Sequence, residues 1–111
     1  MSAIPLKVIE DLYFKALTNP DTWKSGGRAY EMMVTRKGDI YLEHYGTRIF
    51  HYDPKTKKTD YGGAYSISDR DAINSIVRVS RKGIGVYYRG GRLYQDGTGP
   101  AYEPKKTTRR V

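Results

Sequence analysis

The chain has 111 residues, no cysteine and a formal net charge of +8. This length supports one small hydrophobic core and excludes two, and the missing cysteines exclude disulfide bonds and thiolate metal ligands. No apolar run approaches the roughly 20 residues that span a bilayer and no secretory signal pattern opens the chain, so we expect a cytoplasmic protein with no membrane partner.

The first part of the chain combines one helix pattern with several strand patterns. Apolar residues at helical spacing predict a helix over residues 4–17. Runs rich in aromatic and β-branched residues predict antiparallel strands over residues 29–35, 39–45 and 48–53, with a further extended piece near residues 60–66. The predicted inward set of the helix is Leu6, Ile9, Tyr13, Ala16 and Leu17.

Turns and loops between these elements are marked by glycine and by polar residues. Lys37-Gly38 and Gly46-Thr47 are the expected turns between the three strands. The only tryptophan, Trp23, falls in the loop between the helix and the first strand. We expect Trp23 to close the edge of the core, with a role as a surface anchor as the alternative.

A second helix is predicted from residue 69 to about residue 80. Ser68 supplies an N-cap hydroxyl with Asp71 at the capping-box position, and Gly83 is expected to end the helix. Its predicted inward set is Ala72, Ile73, Ile76 and Val77. Three cations, Arg78, Arg81 and Lys82, fall at its C-terminal end, where positive charge suits the helix dipole.

The clearest local signal is a hairpin around Gly90-Gly91. A two-residue Gly-Gly turn fixes the register, which pairs Tyr87 with Tyr94 and Arg89 with Arg92. Alternation along the strands then places these four side chains on one face. Because arginine pairs with phosphate and tyrosine stacks on unpaired bases, this face is a candidate binding surface. The alternative is a hairpin whose tyrosines pack on the domain and whose arginines are solvated.

The element order predicts an α+β fold, in which an antiparallel meander and a C-terminal hairpin carry two helices on one face. We expect a single domain over residues 1–103 and a disordered basic tail over residues 104–111. The charge is concentrated late in the chain, since residues 76–111 carry 9 Lys or Arg against 2 Asp or Glu, while residues 1–75 carry 11 against 10. A basic sector of this kind is typical of binding to a polyanion or an acidic protein face, and a solvated surface is the alternative.

A family resemblance adds a second line of argument. The runs His44-Tyr45-Gly46-Thr47-Arg48-Ile49 and Tyr65-Ser66, followed by Ile73-Asn74, resemble a small uncharacterised domain common in phages and other microbial mobile elements. The resemblance covers about residues 39–77. It implies a strand, strand and helix unit and a viral or mobile-element origin, and it implies no catalytic residue.

The chemistry of a typical enzyme is missing from the sequence. There is no nucleophile elbow and no glycine motif for a nucleotide, so we expect no catalytic residue and no cofactor. The spacing of the histidines also gives no metal site. If Gly46-Thr47 is a two-residue turn, however, His44 and His51 share one sheet face, which leaves open a toxin-like ribonuclease that uses both imidazoles.

The leading hypothesis is a binding protein of viral or mobile-element type that engages nucleic acid, or a complex that handles it. The predicted contact residues are Tyr87, Arg89, Arg92 and Tyr94, with Arg78, Arg81 and Lys82 beside them. The first alternative is a protein inhibitor of a host defence nuclease, similar in role to anti-CRISPR proteins. The ribonuclease with His44 and His51 is the second.

Overall fold

The computed structural model describes residues 6–96. The helices are α1 (Lys7–Thr18) and α2 (Ile67–Ser80), and the strands are β1 (Lys24–Ser25), β2 (Tyr30–Val34), β3 (Ile40–His44), β4 (Thr47–Asp53), β5 (Lys58–Asp60), β6 (Val86–Arg89) and β7 (Arg92–Gln95). Strands β1 to β5 form an antiparallel sheet in chain order, and β6 and β7 form a separate hairpin. The α+β fold predicted from the sequence is therefore confirmed.

The core lies between the five-stranded sheet and the two helices. Alternate residues of the central strands face this layer, which is why the period-two pattern of the sequence located β2 and β3 correctly. The buried sheet residues are Tyr30, Met32, Val34, Ile40, Leu42, Ile49, Phe50 and Tyr52. From α2, Ala72, Ile73 and Ile76 are buried against them, and Val77 packs at the margin, as predicted. Each fully buried isoleucine contributes roughly 2 kcal/mol.

The inward face of α1 differs from the prediction at two positions, Leu12 and Leu17. Ile9, Leu12, Tyr13 and Ala16 are buried, whereas Leu17 lies on the exposed side of the helix. Leu12 completes the stripe because it lies three and four residues from its buried neighbours, and Leu17 is one residue beyond the stripe. The inclusion of Leu17 in the core was therefore wrong.

The turn between β3 and β4 lies one residue earlier than predicted. His44 pairs with Thr47, so the two turn residues are Tyr45 and Gly46 rather than Gly46 and Thr47. A β-bulge between Leu42 and Glu43 then shifts the register by one residue. Because side chains alternate with period two, a one-residue shift exchanges the two faces of β4 beyond the bulge.

The bulge has a direct consequence for the histidines. Beyond it, Phe50 and Tyr52 face the core and His51 pairs with Tyr41 on the outer face. His44 lies before the bulge and pairs with the buried Tyr30. The prediction that His44 and His51 share a face was therefore wrong.

Helix α2 starts two residues before its predicted first turn. Ser66 is the N-cap: its hydroxyl accepts from the Asp69 N–H, while the Asp69 carboxylate accepts from the Ser66 N–H. The predicted cap, Ser68, lies inside the helix. At the other end, Arg81 adopts a left-handed conformation (φ 60°) and is the C-cap, so Gly83 does not end the helix as predicted.

Three smaller predictions were also wrong. The extended segment expected near residues 60–66 is β5, which ends at Asp60. The segment between α1 and the first predicted strand, which was predicted to be a loop, contains β1. Trp23 does not close the core: it is 41% exposed and its ring packs against Tyr41 on the outer sheet face. The predicted tail over residues 104–111 and the C-terminal limit of the domain lie outside the described residues. No helix within residues 6–96 is long and apolar enough to cross a bilayer.

Candidate functional site

The hairpin β6–β7 is fastened to the rest of the fold by a helix side chain. The Asn74 amide accepts from the Val86 N–H and donates to the Val86 carbonyl, both at 2.8 Å. These two hydrogen bonds give Val86, which lies on an edge strand, the partners that a neighbouring strand would otherwise provide. Gly85 is required at this point, since a Cβ there would lie 2.7 Å from the Asn74 side-chain oxygen.

A second attachment holds the chain that enters the hairpin. The Tyr61 hydroxyl donates to the Ile84 carbonyl, and the Ile84 N–H donates to the Thr59 hydroxyl. The inner face of the hairpin is anchored by Val86 and Leu93, both of which are buried in the common core. The hairpin is therefore held at its base, while no atom of residues 6–96, apart from each glycine and its two chain neighbours, lies within 4 Å of the positions where Cβ atoms would stand at Gly90 and Gly91.

The outer face of the hairpin contains the four predicted residues together. Tyr87 pairs with Tyr94 and Arg89 pairs with Arg92 across the strands, in the predicted register. The tyrosine rings stack, with centroids 5.5 Å apart, and Tyr87 is 43% exposed. The two arginines flank the turn and are also exposed. This face thus offers an aromatic pair followed by a cationic tip.

The electrostatics of this tip are unfavourable in isolation. Two like charges directly opposite each other on paired strands lower stability, by up to about 1 kcal/mol. Within residues 6–96, neither Arg89 nor Arg92 makes a salt bridge. An anion placed between the two guanidinium groups would relieve their repulsion and accept several hydrogen bonds.

The second predicted cluster, Arg78, Arg81 and Lys82, is at and just beyond the end of α2, and its side chains are exposed. It follows the Asn74 attachment by four to eight residues. At the helical rise this places Arg81 roughly 10 Å along the helix from the base of the hairpin. Both cationic groups are therefore supported by the same helix.

His44 is largely buried and contacts Asp69 and Tyr30. Its Nδ1 lies 2.9 Å from the Asp69 carboxylate, and the two side chains are 11% and 5% exposed. The imidazole stacks on the Tyr30 ring, with centroids 4.1 Å apart. Burial, with the nearby Asp69 charge, raises the pKa of Tyr30. The histidine therefore links β3 to the capped start of α2.

His51 belongs to a different cluster on the outer sheet face. Its Nε2 lies 2.9 Å from the Asp39 carboxylate and its ring stacks on Tyr41 at 4.3 Å. The guanidinium of Arg48, paired with Glu43, lies 4.6 Å from the centre of the same Tyr41 ring. The imidazoles are thus on opposite faces and do not form one acid–base site. No group of three metal-ligating side chains occurs within the described residues.

Two tight turns adjoin at one end of the sheet, of which the sequence analysis predicted the second one residue too late and did not predict the first. In the turn before β2, Arg28 (φ 60°) and Ala29 (φ 64°) both adopt positive φ, and Tyr30 N–H donates to Gly27 O. In the turn before β4, Tyr45 (φ 52°) precedes Gly46 (φ 78°). The Tyr45 N–H donates to the Ala29 carbonyl, which joins the two turns.

These turns place unusual residues where glycine or asparagine is favoured. Turns with two positive φ values prefer Asn-Gly, Asp-Gly or Gly-Gly, as at Gly90-Gly91. Each other residue in this conformation costs on the order of 1 kcal/mol. Tyr45 gains little burial in return, since it is 77% exposed, although its ring contacts His44. Neither Arg28 nor Ala29 is a residue type that turns favour, so the sequence analysis did not predict this turn.

No family model, curated protein sequence or solved structure matches this chain.

Proposed function

We propose that this protein binds nucleic acid without catalysis, through a basic surface formed by the outer hairpin face and the end of α2. The contact residues of this surface are Tyr87, Arg89, Arg92, Tyr94, Arg78, Arg81 and Lys82. The viral or mobile-element origin suggested by the sequence stays a prediction.

The observation that carries the proposal is that Arg89 and Arg92 lie directly opposite each other on the exposed end of the hairpin with no carboxylate partner within residues 6–96. All six described salt bridges lie between Lys7 and Asp71. The five cations between residues 76 and 96 have no carboxylate partner within the described part of the chain. Unpaired arginines on a projecting hairpin are available for phosphate, and the stacked tyrosines beside them can receive bases.

The ribonuclease alternative has little support. It needs two acid–base groups within reach of one phosphodiester. His44 and His51 are held on opposite sheet faces by different carboxylates, Asp69 and Asp39. We therefore expect removal of the His51 imidazole to leave binding to the hairpin surface intact.

The test is charge reversal at the hairpin tip, Arg89→Glu with Arg92→Glu. Both positions are exposed, so the domain should stay folded, while the loss of two desolvated charge pairs should weaken nucleic-acid binding by about 2–5 kcal/mol. The slope of log affinity against log salt should also fall by roughly 1.4 to 1.8, because each lost phosphate contact removes about 0.7 on a single strand and 0.9 on duplex DNA.

The matched control is Lys55→Glu with Lys57→Glu, which makes the same change in net charge on exposed residues of the turn before β5. We expect its affinity to fall much less. Equal losses in both variants would mean that net charge alone attracts the ligand. A pull-down from lysate treated with nuclease addresses the alternative: a partner that is retained after digestion, and lost with the hairpin variant, would indicate an acidic protein target such as a defence nuclease.

A further inference from the structure

We propose that the paired turns at the sheet end, Arg28-Ala29 and Tyr45-Gly46, form a second contact for nucleic acid and that the ligand is single-stranded. This inference rests on the proposed function and names the form of nucleic acid. The ligand unit at this contact is one unpaired nucleotide, with its base on the Tyr45 ring and a phosphate on Arg28.

The first argument is the backbone. Three residues with a side chain adopt positive φ in two adjoining turns, whereas the hairpin turn with the same requirement has Gly90 and Gly91. Strained backbone positions of this kind are concentrated at binding and active sites, where a side chain is needed despite its cost. Asn or Gly at position 45 would suit the turn better, so the tyrosine ring is the reason for its presence.

The second argument is exposure and chemistry. Tyr45 is the most exposed of the large apolar side chains within the described range, at 77%. The hydrogen bond from Tyr45 N–H to Ala29 O, 3.0 Å long, fixes the two turns side by side. The Tyr45 ring lies 4.6 Å from the His44 ring, centroid to centroid, and His44 in turn stacks on Tyr30.

The third argument is charge. Three of the carboxylates near this end already have a basic partner: Asp69 is bound to His44, Asp71 to Arg70 and Glu43 to Arg48. Arg28 makes no salt bridge within residues 6–96. A cation beside an exposed ring matches one nucleotide, whose phosphate and base need these two groups.

The ligand form follows from the two aromatic sites together. The Tyr87–Tyr94 pair and Tyr45 both offer ring faces, and a base can stack on a side chain only when it is not inside a duplex. Both sites are tied to α2, the hairpin at Asn74 and the sheet end at Asp69. A nucleic-acid single strand that contacts both sites would therefore bind through base stacking and charge, whereas a duplex would bind through charge alone.

The experiment compares Tyr45→Asn with the unchanged protein by fluorescence anisotropy. The probes are a labelled single strand of roughly 12 nucleotides, the matching duplex, and an abasic strand of equal charge. We expect Tyr45→Asn to weaken single-strand binding by roughly 5- to 150-fold and to leave duplex and abasic binding unchanged. Tyr45→Trp should restore tight binding, because indole also stacks. The melting temperature of Tyr45→Asn should be equal or higher.

Arg28→Asn should reduce single-strand affinity and the salt slope, whereas Lys37→Asn, which removes one charge from the exposed turn at the opposite end of the sheet, should change the affinity far less. Single-strand affinity that survives Tyr45→Asn but is lost with Arg89→Glu and Arg92→Glu would overturn this inference and leave the proposed function standing. Failure of Tyr45→Trp to restore binding, or equal losses for single strand and duplex, would overturn it as well. If the unchanged protein binds none of the three probes, both proposals are wrong.

Discussion

At the scale of single residues, two aspartates form nearly identical bonds to histidine in different surroundings. Asp69 accepts from His44 and also from the N–H groups of Tyr65 and Ser66, so one buried carboxylate joins β3 to the start of α2. Asp39 accepts from His51 at the same distance of 2.9 Å, but on the outer sheet face. A comparison of Asp69 with Asp39 therefore separates the effect of burial on stability from that of hydrogen-bond distance.

We expect Asp69→Asn to lower the free energy of unfolding by roughly 2–3 kcal/mol, because the new amide group would face donors in a buried site. Asp39→Asn should cost about 1 kcal/mol or less, since its surroundings are more exposed: the side chains of His51 and Asp39 are 24% and 19% exposed. Urea unfolding of both variants measures this difference. Equal costs would show that His44 and Asp69 contribute no more than a surface pair.

The same residue shows why the helix start could not be read from the sequence. Ser66 with Asp69 and Ser68 with Asp71 both match the capping-box spacing, so local pattern alone does not choose between them. The choice is made by His44, which is 25 positions away in the chain and binds Asp69. A tertiary contact of this kind has no signature in a local window.

At the scale of elements, sequence reasoning succeeded where a turn fixed the register and failed where a bulge changed it. The Gly90-Gly91 turn determined the pairing of β6 with β7, so the register that places Tyr87 opposite Tyr94 and Arg89 opposite Arg92 was predicted correctly. The extra residue of β4 opposite Leu42 and Glu43 has no glycine to mark it, and it moved His51 to the other face. The conformations of Arg28 and Tyr45 were not predicted for a related reason: their turns use residues that turn statistics disfavour.

The attachment of the hairpin to α2 gives a prediction at this scale. Asn74→Ala would leave the N–H and carbonyl of Val86 without partners, so we expect a loss of roughly 2–3 kcal/mol and faster amide hydrogen exchange at Val86. Nucleic-acid affinity should fall in parallel, because the hairpin face loses its fixed position. Thr18→Ala, which removes a hydroxyl bond to the Phe14 carbonyl one turn earlier at the exposed end of α1, is the control and should change both quantities little. An unchanged rate of amide hydrogen exchange at Val86 in Asn74→Ala would contradict the role of Asn74 in attaching the hairpin to α2.

At the scale of the whole molecule, the outer sheet face and the last part of the described chain differ in charge. On the outer sheet face, Asp39, His51, Tyr41, Arg48 and Glu43 contact one another in sequence. These contacts lie on the side of the sheet away from the two described helices. Cations without a carboxylate partner occur along the whole described chain, so it is the excess of Lys and Arg over Asp and Glu after residue 75 that indicated the candidate surface.

The dependence of stability on alkaline pH follows from three tyrosines that are buried in the hydrophobic core. Burial raises the pKa of Tyr61, Tyr30 and Tyr13 above the ordinary value of about 10. In the unfolded chain these phenols ionise near that value, whereas the folded protein keeps them protonated. Their contribution to stability is therefore fully present below about pH 10 and is lost as pH rises through the higher folded values. We expect the free energy of unfolding, measured with urea, to fall steeply above about pH 10, and the absorbance change of these tyrosines to coincide with unfolding.

The variant Tyr61→Phe separates the effect of the Tyr61 phenol on stability from that of lysine titration. It should be less stable at neutral pH, because the bond to the Ile84 carbonyl is lost, and its stability should depend less on alkaline pH. An unchanged pH slope in Tyr61→Phe would mean that the Tyr61 phenol ionises alike in the folded and unfolded chains.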